Sequence, residues 1–228
     1  MESFKIGLLI IATNKYIQFL QPLISSADKF FLNNQNVTYY IFTDKNIQIE
    51  TTRELFIIDT EHKDWPYMTL NRYKIFKENY KQLSKMDYIY YCDADMRFID
   101  SVDKEIISDR VVTIHPGFLG ERGTPEVREE SLACVRPEEE MTYFAGGFNG
   151  GSSVEFLKMS TTLAERIQDD LSRNVIAIWH DESHFNRYMI DNKPTLILDP
   201  GYCYPESWKL DYHKRLLALD KNHEEIRK

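Results

Sequence analysis

Cysteine is scarce in this chain. Its three residues, Cys92, Cys134 and Cys203, are odd in number, widely spaced and in no metal-ligand pattern, which excludes a disulfide scaffold and suits free thiols in a reducing compartment. Excess positive charge is also absent: 28 Lys and Arg face 36 Asp and Glu, a formal net charge of -8. A broad nucleic-acid or anionic-membrane surface is excluded, because both partners would be repelled. Long apolar runs are missing too. The stretch over residues 7–12, preceded by Glu2 and Lys5, is too short to span a bilayer and lacks the layout of a signal peptide. It is expected to be a buried first strand of a cytoplasmic protein without a membrane anchor. There is no internal repeat, low-complexity tract or Gly/Ser linker.

What remains is the composition of one globular domain, 43% hydrophobic and 28% charged over 228 residues. Residues 4–12, 37–42 and 53–58 read as strands, with a helix from Ile17 through Leu20, Ile24, Ala27 and Phe31 between the first two. Strand, helix, strand at this spacing implies a parallel α/β sheet. Leu70, Tyr73, Phe76, Tyr80 and Leu83 repeat at helical spacing. Residues 88–92, 111–114 and 195–198 read as further strands, 119–141 as a charged surface loop, and Val154 to Leu171 as a long helix, with a short one over Phe185, Tyr188 and Met189.

The strand over 88–92 is apolar on both faces and ends in Asp93-Ala94-Asp95. Open α/β sheets bind ligands at such strand ends. Two carboxylates one residue apart there are either ordinary turn acids or holders of a hard divalent cation, with coordination positions left for a diphosphate. Four of the nine glycines fall between Gly146 and Gly151. They are either a tight turn or room for a ligand lined by Ala145 and Gly147, and they lack the Gly-x-Gly-x-x-Gly spacing of a dinucleotide fold. His180 and His184 are four apart, but Asp181 stands where a zincin carries glutamate, so Glu182 beside a reacting carbon, with Asp181 orienting a substrate hydroxyl, is the better use of the stretch. Trp179 offers a wall for the apolar face of a sugar, and His115 is either a second pocket residue or a buried core histidine. An Asp-x-Asp phosphatase fits poorly, because Met96 and Arg97 follow the acids at mid-chain.

Taken in order, Lys15-Tyr16, Tyr39-Tyr40-Ile41-Phe42-Thr43-Asp44, Asp93-Ala94-Asp95-Met96, His115-Pro116-Gly117-Phe118, Gly146-Gly147-Phe148, Gly150-Gly151, Trp179-His180-Asp181-Glu182-Ser183-His184, Lys193-Pro194-Thr195 and Lys221-Asn222-His223 resemble glycosyltransferase family 6. These are the retaining α-1,3 enzymes that include the blood-group A and B transferases and bacterial relatives. The resemblance implies a GT-A fold, a mixed and mostly parallel sheet flanked by helices. Its nucleotide-binding part would cover about 1–100 and its acceptor-binding part about 101–206, with a basic tail over 207–228 closing over the donor. That tail holds six Lys or Arg against four Asp or Glu.

It further implies a UDP-sugar donor, with Mn²⁺ or another divalent cation on Asp93 and Asp95. Donor contacts are expected from Ile11, Thr13, Tyr16, Arg72, Asp93, Ala94, Asp95, Ala145, Gly147 and Lys221, acceptor contacts from His115, Trp179 and Asp181, and the nucleophile's role from Glu182. Small residues at 145 and 147 leave room for an acetamido group, which favours UDP-N-acetylgalactosamine over UDP-galactose. The expected acceptor is a galactose-terminated oligosaccharide. A non-catalytic glycan- or nucleotide-binding module is the alternative that the residues alone leave open.

Overall fold

A computed structural model describes residues 3–226. Its centre is a seven-stranded sheet in the order β3-β2-β1-β4-β7-β6-β8. The strands are β1 (Lys5–Ile11), β2 (Asn36–Thr43), β3 (Glu54–Asp59), β4 (Tyr88–Cys92), β6 (Val111–Ile114), β7 (Phe144–Ser152) and β8 (Leu196–Leu198). Six run in one direction; β7 alone is antiparallel to its neighbours β4 and β6. This is the mixed, mostly parallel α/β sheet that the expectation of a GT-A fold requires.

The two faces of β1, β2 and β4 explain why their sequences read as unbroken apolar runs. Ile6, Leu8, Ile10, Tyr39, Ile41, Tyr90 and Cys92 pack on one side with Leu20, Leu23, Ile24 and Ala27 of α1 (Leu20–Phe30). Leu9, Tyr40, Phe42, Ile89 and Tyr91 pack on the other with α3 (Arg72–Glu78), α5 (Ser153–Ser172) and α6 (His180–Asp191). A strand covered on both faces has no reason to alternate with polar residues.

Several elements differ from the sequence reading for identifiable reasons. Residues 143–151 do not form a turn: β7 occupies the middle of the sheet. A side chain at Gly150 would collide with the Tyr90 ring and the Ile89 carbonyl, so β7 reaches β4 this closely only because Gly150 has none. Over 67–83 the chain forms three short helices, α2 (Tyr67–Leu70), α3 and α4 (Tyr80–Leu83). Asn71 and Asn79 interrupt the series, and their amides donate to the carbonyls of Tyr67 at 2.7 Å and Ile75 at 2.9 Å. Helix α6 begins at His180 rather than at Phe185, because its first turn carries site residues instead of an apolar stripe.

A second sheet, not foreseen, joins β5 (Met96–Phe98), β10 (Leu216–Ala218) and β9 (Tyr204–Pro205). Strands this short have no readable period. Residues 119–141 form neither strand nor helix, yet Glu126, Ser131, Ala133 and Val135 are buried. Among the described residues no helix is long and apolar enough to cross a membrane.

Candidate active site

Strand β4 delivers Asp93 to the edge of the sheet, where the Asp93 N–H donates to the Gly147 carbonyl at 2.9 Å and so continues the ladder to β7. The Tyr91 hydroxyl donates to Asp93 Oδ1 at 2.5 Å, and burial pushes the Tyr91 hydroxyl pKa well up, which keeps it a donor. Arg72, at the start of α3, lies 7% exposed over the Tyr91 ring. Its guanidinium reaches three partners: Asp93 Oδ1 at 3.2 Å, Asp181 Oδ2 at 3.2 Å and the Gly146 carbonyl at 2.9 Å. Five fixed donors on one planar group suit this branching role; a lysine could not reproduce it.

From Gly146 the network continues to Glu182, whose Oε2 accepts the Gly146 N–H at 2.8 Å. Asp93 and Glu182, distant in sequence, thus stand at two ends of one short chain of contacts through Arg72 and the backbone of Gly146. Burial pushes the Glu182 carboxyl up to about 7, and the charge of Asp181 next to it adds to the rise. Burial likewise raises Asp181 to about 6, opposed by Arg72 and assisted by Asp93. Alternation along β7 sets these contacts. A side chain at Gly146 would meet Glu182 and Arg72, whereas one at Gly147 would come within 3.1 Å of Asp93 Oδ2, with Met96 and Cys203 beyond.

Beside Asp93 opens a cavity of about 200 Å³. Ile11, Thr13, Tyr16, Arg72, Asp93, Ala94, Asp95 and Lys221 all line it, so eight of the ten expected donor contacts share one space. Thr13 Oγ1 shares a hydrogen bond of 2.8 Å with His62 Nδ1, and Asp44 Oδ1 accepts the Asn14 N–H at 2.9 Å, which fixes the loop after β1. Asp95 is buried, and the Lys221 ammonium sits against its carboxylate. The Leu219 N–H also donates to the Asp95 carbonyl at 2.9 Å. Residues 216–226 are therefore packed over the site: Leu216–Ala218 pairs with β5, and Lys15 Nζ donates to the Glu225 carbonyl. Arg227 and Lys228 of the expected tail, and the side chain of His223, lie outside the described residues.

The remaining expected residues are placed unevenly. Ala145 and Gly147 are buried in β7 and are not on the cavity wall. Asp181 is 4% exposed and turned to Arg72, a support position rather than an open one. Trp179 is 47% exposed, with its indole N–H donating to Thr124 Oγ1 at 2.7 Å. His115 is half-buried against Phe118 and Tyr143, and burial lowers its pKa. Its Nδ1 accepts the Gly117 N–H at 3.1 Å, which leaves the other ring nitrogen to carry the proton. Tyr91, Gly146 and His62 were missed. Tyr91 is hidden inside an apolar strand, and Gly146 acts through backbone atoms alone.

A family model described as glycosyltransferase family 6 matches residues 1–228. The chain belongs to that family. It is 33% identical over 242 aligned residues to the histo-blood group ABO system transferase 1 of Rattus norvegicus, covering all of this chain and 70% of the rat protein. It is 31% identical to the globoside alpha-1,3-N-acetylgalactosaminyltransferase 1 of Canis lupus familiaris, over 96% of this chain and 67% of the relative. The O-antigen biosynthesis glycosyltransferase WbnI of Escherichia coli is 28% identical, with 96% of each chain aligned. The chain is accordingly a glycosyltransferase that takes a nucleotide-sugar donor and a glycan acceptor. This displaces both the phosphatase and the non-catalytic module.

The residues of this family 6 enzyme fit a divalent cation. Four carboxylates, Asp93, Asp95, Asp181 and Glu182, gather here: Arg72 contacts Asp93 and Asp181, Lys221 contacts Asp95, and Glu182 is held by the Gly146 N–H. Among the described residues no cluster of three or more His, Cys, Asp or Glu forms a complete metal cage. Hard oxygens from only two aspartates match a cation shared with substrate phosphates, and the Lys221 ammonium already occupies a cationic position at Asp95.

Proposed function

We propose that this enzyme transfers N-acetylgalactosamine, in preference to galactose, from its UDP-sugar to the 3-hydroxyl of a galactose-terminated acceptor, with retention of the α configuration. The observation that carries the reading is the chain of contacts from Asp93 through Arg72 and Gly146 to Glu182. It would tie the group that meets the leaving diphosphate to the group that meets the carbon it leaves. The relatives named for α-1,3-N-acetylgalactosaminyl transfer support the donor and the linkage.

The uridine would lie along Ile11, Thr13 and Tyr16, and the diphosphate against Asp93, Ala94, Asp95 and Lys221, where the cavity is continuous. Asp93 and Asp95 would hold Mn²⁺ or a similar cation, which supplies neutralisation of the charge developing on the departing UDP. Lys221, against Asp95 on the same cavity, would add a second positive charge. Arg72 holds Asp93 in place. Glu182, fixed by the Gly146 N–H, faces the anomeric carbon and stabilises its developing positive charge, either as a covalent nucleophile or electrostatically. His115 and Trp179 form the acceptor wall. Ala145 and Gly147 lie behind the cavity wall, and their small size would leave space next to Asp93 on the side of the donor's 2-substituent. We also propose the division into a nucleotide-binding part, about 1–100, and an acceptor part, about 101–206, with 207–228 closing the donor side. The free thiols fit a cytoplasmic setting.

The test is UDP release from UDP-N-acetylgalactosamine and UDP-galactose, with and without fucosylated and unfucosylated galactosides, in Mn²⁺ and then in chelator. Fastest release is expected with the N-acetylated donor plus a galactoside, and loss of activity on chelation. Full turnover in chelator overturns the metal role, and faster turnover of UDP-galactose overturns the donor assignment.

A further inference from the structure

Residues 122–128, apart from the donor cavity and without regular structure, carry another buried carboxylate. Glu126 is 2% exposed. Its Oε2 accepts the Ile178 N–H at 2.8 Å, and its two oxygens take a forked ion pair from Arg128, at 2.9 Å to Nε and 2.6 Å to Nη2. Arg128 Nη2 also donates to the Ile176 carbonyl at 2.6 Å. Glu126 and Arg128 therefore clasp the backbone of residues 176–178 from both its donor and its acceptor side. Two residues before Glu126, the Thr124 hydroxyl accepts the Trp179 indole N–H at 2.7 Å.

Beyond the clasped segment the backbone is unusual. His180 has φ of +53°, a left-handed conformation without the licence of glycine, and the next two residues are Asp181 and Glu182. Such a conformation persists where its surroundings over-determine it. Here the constraints are the Ile178 bond to Glu126, the Trp179 bond to Thr124, and the Trp179 backbone N–H donating to Ser183 Oγ at 3.0 Å. We infer that Thr124 and Glu126 are positioning residues for glycosyl transfer: they fix the Trp179 ring and the entry into α6, and so set acceptor binding without touching the donor. The inference rests on the reading of Trp179 as an acceptor contact.

The test uses Thr124→Val and Glu126→Gln in the full chain, with acceptor KM, donor KM and acceptor-independent UDP release measured on each, and Trp179→Phe alongside. For Glu126→Gln the acceptor KM is expected to rise about tenfold, and for Thr124→Val about threefold, with donor KM and acceptor-independent release unchanged. A merely structural role would instead lower all rates together, and that result overturns the inference. If Glu126→Gln does not fold, Thr124→Val decides alone. A raised acceptor KM in Trp179→Phe with an unchanged one in Thr124→Val overturns the clasp while sparing the acceptor wall. An unchanged KM in Trp179→Phe overturns the acceptor wall, and the clasp's role falls with it.

Discussion

At the end of β4 each charged side chain is held by a partner of opposite charge, whereas Trp179 and His115 are held by neutral hydrogen bonds and ring contacts. The difference has a physical basis. The donor brings a diphosphate, and buried charges fixed in advance stabilise charge that grows as it departs. The proposed galactose-terminated acceptor is neutral, so its wall would need shape and a few donors and acceptors. The donor edge should therefore be brittle to substitution and sensitive to charge, and the acceptor wall should be tolerant.

The hardest blow to that contrast is Glu182→Gln, for which kcat should fall by about 10³ or more in a transfer assay. The same variant should be the more stable protein at alkaline pH. Because folding raises the Glu182 pKa from 4.5 to about 7, ionising it between those values costs stability, and the neutral amide escapes that cost above the window. Thermal melts at pH 8 should show a gain of about 2–4 °C, and kcat/KM of the unaltered enzyme should climb with pH up to about 7. Next in size is Arg72→Lys, expected to lower kcat/KM for the donor about 10²-fold because one ammonium cannot serve Asp93, Asp181 and Gly146 together. Arg72→Met should cost about 3–5 kcal/mol in denaturant unfolding by leaving the buried Asp181 carboxylate uncompensated.

Asp95→Asn should raise the Mn²⁺ concentration for half-maximal activity by about tenfold or more, with acceptor KM unmoved. Were acceptor KM to change equally, the two regions would not be separable. The smallest effect sharpens the comparison from the acceptor side. Glu126 is held down to about 2 by Arg128 and the Ile178 N–H, against the opposing effect of its burial. Its contribution to stability is present above pH 4.5 and lost as pH falls towards 2, so the stability gap between the unaltered protein and Glu126→Gln should close across that window.

The sequence was most readable where burial was two-sided. Strands β4 and β6 begin and end where their apolar runs do, and α5 follows its stripe. Strand β7 was not readable, because glycine has a low strand propensity and its presence here answers a neighbour, Tyr90, that only the folded state brings near. The site shows the same division. Asp93, Asp95 and Glu182 announce themselves by residue type and context, while Arg72 looks like any helical arginine without the family resemblance. Nothing in the spelling of residues 122–128 indicates that Glu126 ends up enclosed, since a glutamate in a charged stretch looks solvated until its partners at 176–178 are known.

The single reversed strand has a consequence for how this scaffold can vary. Because the chain leaves β6 and enters β7 on the same rim where β4 ends, everything between Ile114 and Phe144 starts and finishes above the reaction centre. Insertions or rewriting there would reshape the approach of an incoming oligosaccharide while the hydrogen-bond register of β1 to β4 stays intact. A new glycan specificity is thus open to this architecture by exchanging one surface excursion, with the nucleotide cradle inherited whole.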